Sequence, residues 1–116
     1  MITLKRAYDP ADPKDGVRIL VDRIWPRGVS KQALHLDAWM KDVAPSTALR
    51  KWFGHDPARW AEFQRRYNAE LNENPEAWEP IIAAAKAHRT VTLIYSAKDA
   101  EHNQALALKQ YLQAHR

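Results

Sequence analysis

Three stretches of the chain carry the apolar pattern of strands. Ile2 and Leu4 alternate with Thr3 and Lys5, which predicts a strand over residues 2–6. Val17 to Val21 and Val91 to Tyr95 are nearly continuous and rich in β-branched residues, as expected of strands covered on both faces. Two such strands imply helices packed on both sides of a mainly parallel sheet. Between the first two, Tyr8-Asp9-Pro10 and the Asp, Pro, Lys and Gly residues up to Gly16 predict a loop.

Helix signals fill the rest. Ser46 can cap a short helix through Phe53, with Gly54 where a left-handed residue ends it. Asp56-Pro57 reads as an N-cap followed by proline at the first helical position, and Trp60, Phe63, Tyr67 and Leu71 then share one helical face. Asn74-Pro75 repeats the start signal. Pro80 lacks the donor N–H, so the pattern predicts one turn from Pro75 and a restart near Glu79-Pro80 running to about His88. Asp99 is expected to begin the last helix, with Leu108, Tyr111 and Leu112 facing inward. Leu36, Trp39, Met40 and Val43 have helical spacing, yet Pro45 ends that segment soon after.

Composition narrows the classes. At 116 residues and 13.4 kDa the chain has the usual size of one domain, and 46% hydrophobic with 28% charged residues is too apolar for disorder. Three glycines and no cysteine exclude a disulfide scaffold, a collagen-like array, a thiolate zinc site and a cysteine nucleophile. No apolar run approaches the roughly 20 residues of a membrane helix, and no signal-peptide core follows Met1, so the expectation is a soluble cytoplasmic protein without a membrane partner. The net charge of +4 lies wholly in the first half: residues 1–60 hold 11 Lys and Arg against 7 Asp, whereas residues 61–116 hold 7 basic against 7 acidic. That excess recurs beside turn signals, at Arg23 and Arg27, Lys41, and Arg50 with Lys51. It favours anionic partners without requiring nucleic acid.

Candidate chemistry clusters in three places. Asp22-Arg23-Ile24-Trp25-Pro26-Arg27-Gly28 follows a central strand, and Pro26 with Gly28 suits a type I turn that holds Arg27 outward. In parallel α/β sheets ligands bind beyond the carboxyl ends of the strands, where the guanidinium groups of Arg23 and Arg27 can fork onto carboxylate or phosphate. The plainer alternative pairs Arg23 internally and leaves Arg27 a solvated turn residue. The second cluster runs from Tyr95 to Asn103, where Lys98 could reach an anion at a helix N-terminus and His102 could titrate near neutrality. Here Asp99 and Glu101 equally well complement a helix dipole.

The third cluster joins Lys41 to Ser46 with Trp52 to Pro57. Ser46 is explained as a cap, and His55 as a general base, a metal ligand or a turn residue. No His, Asp or Glu pair has tight ligand spacing, so no metal is expected; no glycine-rich phosphate loop is present, and no cofactor is implied. Among five tryptophans, Trp39, Trp52, Trp60 and Trp78 read as packing residues, and Trp25 beside Arg27 as a stacking platform.

Residues 21–31 (VDRIWPRGVSK), 44–57 (APSTALRKWFGHDP) and 93–103 (LIYSAKDAEHN) resemble domain-of-unknown-function family 488, and within it the small YeaO-like bacterial group. The resemblance spans essentially the whole chain. It implies an α/β fold, a three-layer α/β/α domain with a small, mainly parallel sheet whose strands lie near 2–6, 17–22, 36–43 and 91–95. It thereby overrides the helical spacing of Leu36 to Val43. It implies no activity. Larger relatives resemble C-A-E-K-D-x-E-H-C-H-R in the last loop, where this chain has Tyr95 and Asn103 for the cysteines and Gln104-Ala105 for His-Arg. Thiol, redox or metal chemistry suspected for those relatives therefore does not carry over.

The expected function is binding of an anionic small molecule, bearing phosphate or carboxylate, at the carboxyl edge of the sheet. Arg23, Arg27, Lys41 and Lys98 would supply charge, Trp25 an apolar wall, and Ser46 and Tyr95 further contacts. Asp22, His55 and His102 would carry any catalysis, of which hydrolase or transferase chemistry is easiest to build. The alternative is a nucleic-acid-binding or regulatory module without catalysis; a protein-interaction subunit is a third reading. Either a monomer or a homodimer fits.

Overall fold

A computed structural model describes residues 1–87 and 89–115. Strands β1 (Ile2–Arg6), β2 (Val17–Leu20), β3 (Ala38–Trp39) and β4 (Val91–Tyr95) form one parallel sheet in the order β1-β4-β2-β3. The two runs read as fully covered strands, β2 and β4, occupy its centre, and every residue of β4 is buried. Ile2 and Val17 both sit opposite Val91, so the strands start level and their carboxyl ends emerge together. The ladder continues one residue past each strand, through Ala7 N–H to Tyr95 O at 2.7 Å and Val21 N–H to Ile94 O at 3.1 Å. This level register brings Ala7, Asp22 and Ser96 to one edge although they are far apart in sequence.

The mixed α/β fold has layers of unequal weight. One sheet face, with Ile2, Ile19, Val21, Leu93 and Tyr95, packs against α2 (Thr47–Phe53), α3 (Trp60–Asn72), α4 (Pro75–Lys86) and α5 (Gln104–Ala114). Leu49, Phe53, Phe63, Tyr67, Ile81, Leu108 and Leu112 fill that interface. At roughly 1.5–3 kcal/mol for each fully buried large apolar side chain, this interface dominates the stabilisation of the fold. The other face carries α1 (Lys31–Leu34), a single turn whose Leu34 meets Leu20 and Ile94, with Trp25, Val29, Leu36 and Trp39 packed around them. Beside that small apolar cluster the face is polar. Arg18 donates to Asp15 Oδ2 at 2.5 Å and to Leu34 O at 2.9 and 3.1 Å, while Thr92 Oγ1 donates to Asp15 O at 2.7 Å.

Local chemistry explains most element ends. Ser46 Oγ accepts from Leu49 N–H at 3.1 Å, Gly54 closes α2 in the left-handed conformation, and Asp56 caps the 3-10 turn Pro57–Arg59 that leads into α3. Five expectations are corrected. Residues 36–43 are extended only at Ala38–Trp39 and then enter a 3-10 turn at Lys41–Val43. The sheet bonds of this segment stop at Met40 N–H to Leu20 O, because β2 itself ends at Leu20 rather than at residue 22. Pro80 does not interrupt α4, which runs unbroken to Lys86. Proline forfeits one bond there on an exposed surface, while Ile81, Ile82 and Ala85 anchor the same helix in the core. The expected end at His88 lies outside the described residues.

The last helix begins at Gln104, not Asp99. Asn103 Oδ1 accepts from Leu106 N–H at 2.8 Å, while Asp99 caps a separate turn by accepting from the Glu101 and His102 amides. Finally, the turn after β2 is Pro26 to Val29, one residue later than the type I reading. Arg27 and Gly28 are its central pair, and Gly28 has φ 79°, a conformation that suits glycine.

Candidate functional site

A cleft of about 700 Å³ opens at the carboxyl edge of the sheet. Its floor is set by Asp22, the residue two beyond β2, whose side chain is buried under β4 and α5. Ser96 N–H and Oγ–H donate to Asp22 Oδ2 at 2.9 and 2.7 Å, and Gln104 Nε2 donates to Oδ1. Burial pushes this carboxyl above its usual value, against the hydrogen bonds from Ser96 and Gln104 and the charge of Arg50. Asp22 thus ties the ends of two central strands to the first residue of a helix.

Cations come from three elements. Arg23 and Arg27 lie on the loop after β2, Arg50 and Lys51 on the last turn of α2, and Lys98 on the loop after β4; all five line the cleft. Arg23 Nη2 makes only long contacts, 3.4 and 3.5 Å, to Ala44 O and Pro45 O, and its Nε is buried without a partner among the described residues. Among the described residues, no carboxylate forms an ion pair with Arg27, Arg50, Lys51 or Lys98. The apolar wall is aromatic: Phe53 and Phe63 stack with centroids 4.3 Å apart, and Tyr8 stands at the rim.

Of the residues singled out from sequence, the fold brings Asp22, Arg23, Trp25, Arg27, His55 and Lys98 onto this cleft. Trp25 is more committed than a stacking platform should be. Its Nε1 donates to Val29 O at 2.7 Å, and its ring meets the edge of Trp39 at 5.3 Å. His55 is exposed, follows Gly54 in a left-handed conformation (φ 57°), and makes no side-chain hydrogen bond among the described residues.

Four others are placed elsewhere. Lys41 Nζ lies over the Trp39 ring, 4.1 Å from its centroid. Ser46 Oγ donates to Glu70 Oε2 at 2.6 Å, tying α2 to α3 in addition to capping. Tyr95 faces the helical core, and burial pushes its phenol up. His102 Nδ1 pairs with Asp99 Oδ2 at 2.9 Å, and its ring stands perpendicular to Trp60. Backbone amides and this histidine hold the Asp99 carboxyl below its usual value, so the pair braces the turn before α5.

Sequence reasoning missed Tyr8, Arg50, Lys51, Ser96 and Gln104 as cleft residues. The basic residues near turns had marked Arg50 and Lys51 as a charge excess, without assigning them to a site. Nothing local in the sequence marks Gln104, whose partner lies 82 positions away. What the arrangement offers chemically is positive charge and a flat apolar wall. Asp22 accepts three hydrogen bonds, His102 is turned to Trp60, and His55 lines the same cleft as Asp22 without a side-chain hydrogen bond among the described residues.

Comparison with known proteins places relatives along nearly the whole length. Residues 1–116 match the family model DUF488-N3i, described as an inactive DUF488-N3 subclade. The uncharacterized protein YeaO of Escherichia coli K12 is 45% identical over 113 residues, covering 97% of each chain. The uncharacterized protein Rv3073c of Mycobacterium tuberculosis H37Rv is 38% identical over 111 residues, covering 96% of this chain and 92% of that one. No solved structure matches the chain. No helix among the described residues is long and apolar enough to cross a membrane.

Proposed function

The chain belongs to the DUF488 family, in the branch described as its inactive N3 subclade, and from that premise we propose that it binds an anionic small molecule without turning it over. The observation that carries this reading is the charge around the cleft: Arg23, Arg27, Arg50, Lys51 and Lys98 face it against only Asp22 and Asp99. Like charges gathered around a low-dielectric hollow repel one another, and an anion relieves that repulsion while accepting charge-assisted hydrogen bonds. The Arg23 guanidinium, whose Nη2 makes only the two long contacts to Ala44 O and Pro45 O, has donor capacity to spare.

A binding role without turnover is supported by what three of the polar side chains in these motifs do instead. Asp22 is a structural acceptor, His102 is a turn brace, and Asn103, which stands where larger relatives carry a cysteine, caps α5. Phosphate and carboxylate both fit the forked guanidinium donors.

The test is calorimetric titration of pyrophosphate and a dicarboxylate into wild type, Arg27→Ala and Arg50→Ala. Each variant should weaken binding by about tenfold or more, the worth of one hydrogen bond to a charged group. Equal affinities in all three proteins would remove the reading. Nucleic acid is separated by salt: binding of a duplex that falls steeply with added salt and exceeds that of small anions would favour the module reading instead.

A further inference from the structure

We propose that the ligand of this cleft is an aromatic polyanion of the nucleoside diphosphate class, with its ring against Tyr8 and its phosphates against Arg50, Lys51 and Lys98. The proposal rests on the anion-binding reading and adds a second half to the ligand. Only three large hydrophobic side chains are exposed among the described residues, and two of them, Tyr8 at 47% and Ile24 at 63%, line the cleft. Exposed apolar surface beside concentrated positive charge fits a molecule that is itself part flat and apolar, part anionic.

Tyr8 is not merely exposed; it is held. The Arg6 guanidinium lies over its ring, 5.0 Å from the centroid, and is itself fixed by donating to Ala97 O at 3.0 Å and Ser96 O at 3.2 Å. At the other end Tyr8 Oη–H donates to Arg27 O at 3.1 Å. A ring braced on one face and at its tip loses little freedom when a ligand covers it, which is how a stacking surface gains affinity. The brace also spans β1, the loop after β2 and the loop after β4, so the ring and the cations are positioned by the same framework.

Size and charge point the same way. About 700 Å³ greatly exceeds what a bare phosphate fills and falls within the range of roughly 300–1,000 Å³ typical of small-molecule sites. Five cations against two carboxylates leave an excess of three positive charges. A diphosphate ester near neutrality carries about three negative ones. Without a glycine-rich loop, recognition falls to the side-chain cations, since the Ser96 amide and hydroxyl already donate to Asp22.

The experiment compares ADP, CDP, inorganic pyrophosphate and adenosine on the full chain at fixed ionic strength, with wild type, Tyr8→Ala and Tyr8→Phe. At least one nucleoside diphosphate should bind about tenfold to a hundredfold more tightly than pyrophosphate, the increment of one base stacked on an aromatic ring. Tyr8→Ala should bring the ratio of nucleotide to pyrophosphate affinity close to one, and Tyr8→Phe, which loses the bond to Arg27 O but keeps the ring, should retain most of that ratio. If pyrophosphate binds as well as both nucleotides, the anion-binding reading survives and this one falls. If neither pyrophosphate nor nucleotide binds, both fall. A single-stranded oligonucleotide that outcompetes both nucleotides would overturn the free-nucleotide assignment in favour of a polymer.

Discussion

Replacing Asp22 with alanine should lower the unfolding free energy by about 3 kcal/mol, whereas Asp22→Asn should leave stability within about 1 kcal/mol and strengthen anion binding. The asymmetry follows from the donors around the carboxylate. Alanine strands the Ser96 amide and hydroxyl and the Gln104 side chain at the base of the cleft, after all three had been hydrogen-bonded to one buried group. Each lost bond to a charged acceptor is worth roughly 1.5–3 kcal/mol before relaxation. Asparagine keeps one oxygen for Ser96, and a flipped Gln104 amide can offer its oxygen to the new NH2 group. With the negative charge near Arg50 gone, an incoming anion meets less repulsion.

The pH dependence separates these cases. Burial raises the Asp22 carboxyl above its ordinary 3.8. Between that ordinary value and the raised one, the folded protein keeps a proton that the unfolded chain has released, so this group's contribution to stability declines as pH rises through the window. Asp22→Asn should flatten that slope in urea melts followed upward from the ordinary carboxyl value of 3.8. If Asp22→Ala unfolds at the wild-type urea concentration, the carboxylate is not the pin described above.

The parts of the fold that were legible in the sequence are those decided locally. Continuous β-branched runs marked β2 and β4, and Ser46, Gly54 and Asp56-Pro57 marked helix ends, because each acts through backbone groups within a few residues. Where two local solutions compete, tertiary contacts choose. Asp99 and Asn103 can both cap a helix; Asn103 is selected, buried with its Nδ2 on Asp99 O, while Gln104 reaches across to Asp22. Helical spacing over Leu36 to Val43 lost to a sheet edge supplied by β2. Half of the candidate site could be read because strand ends in a parallel sheet are a shared address. The rest, Tyr8 and Arg50 above all, arrives there through the level register of β1 with β4 and the packing of α2, neither of which leaves a local trace.

Arg18→Met should be among the most destabilising substitutions, costing about 3–5 kcal/mol, because it breaks a buried charge pair from one side. Arg18 is 4% exposed and Asp15 is 8% exposed. Without the guanidinium, Asp15 retains only Lys5 as a charged partner, at 2.8 Å, and Leu34 O loses both of its donors from Arg18. In wild type, burial pushes the Asp15 carboxyl up, but the bonds from Lys5, the Asp12 amide and Arg18 outweigh it, and the group sits below its ordinary 3.8. The stability it contributes is therefore full above that ordinary value and lost as pH falls through the lowered one. Arg18→Met should move acid unfolding, followed by circular dichroism, to higher pH. Asp15→Leu combined with Arg18→Met should recover much of the loss, since Lys5 is exposed enough to turn to water. The same substitution should loosen the cleft. The loop that carries Trp25 and Arg27 is anchored at its far end by the Arg18 guanidinium through Leu34 O, while the backbone amide of residue 18, which donates to Asp37 Oδ2 at 2.8 Å, survives the substitution. Amide hydrogen exchange across Leu34 to Asp37 should quicken, and anion affinity should drop, even where the variant remains folded. Wild-type exchange in that segment would show that the loop is held by its apolar contacts alone.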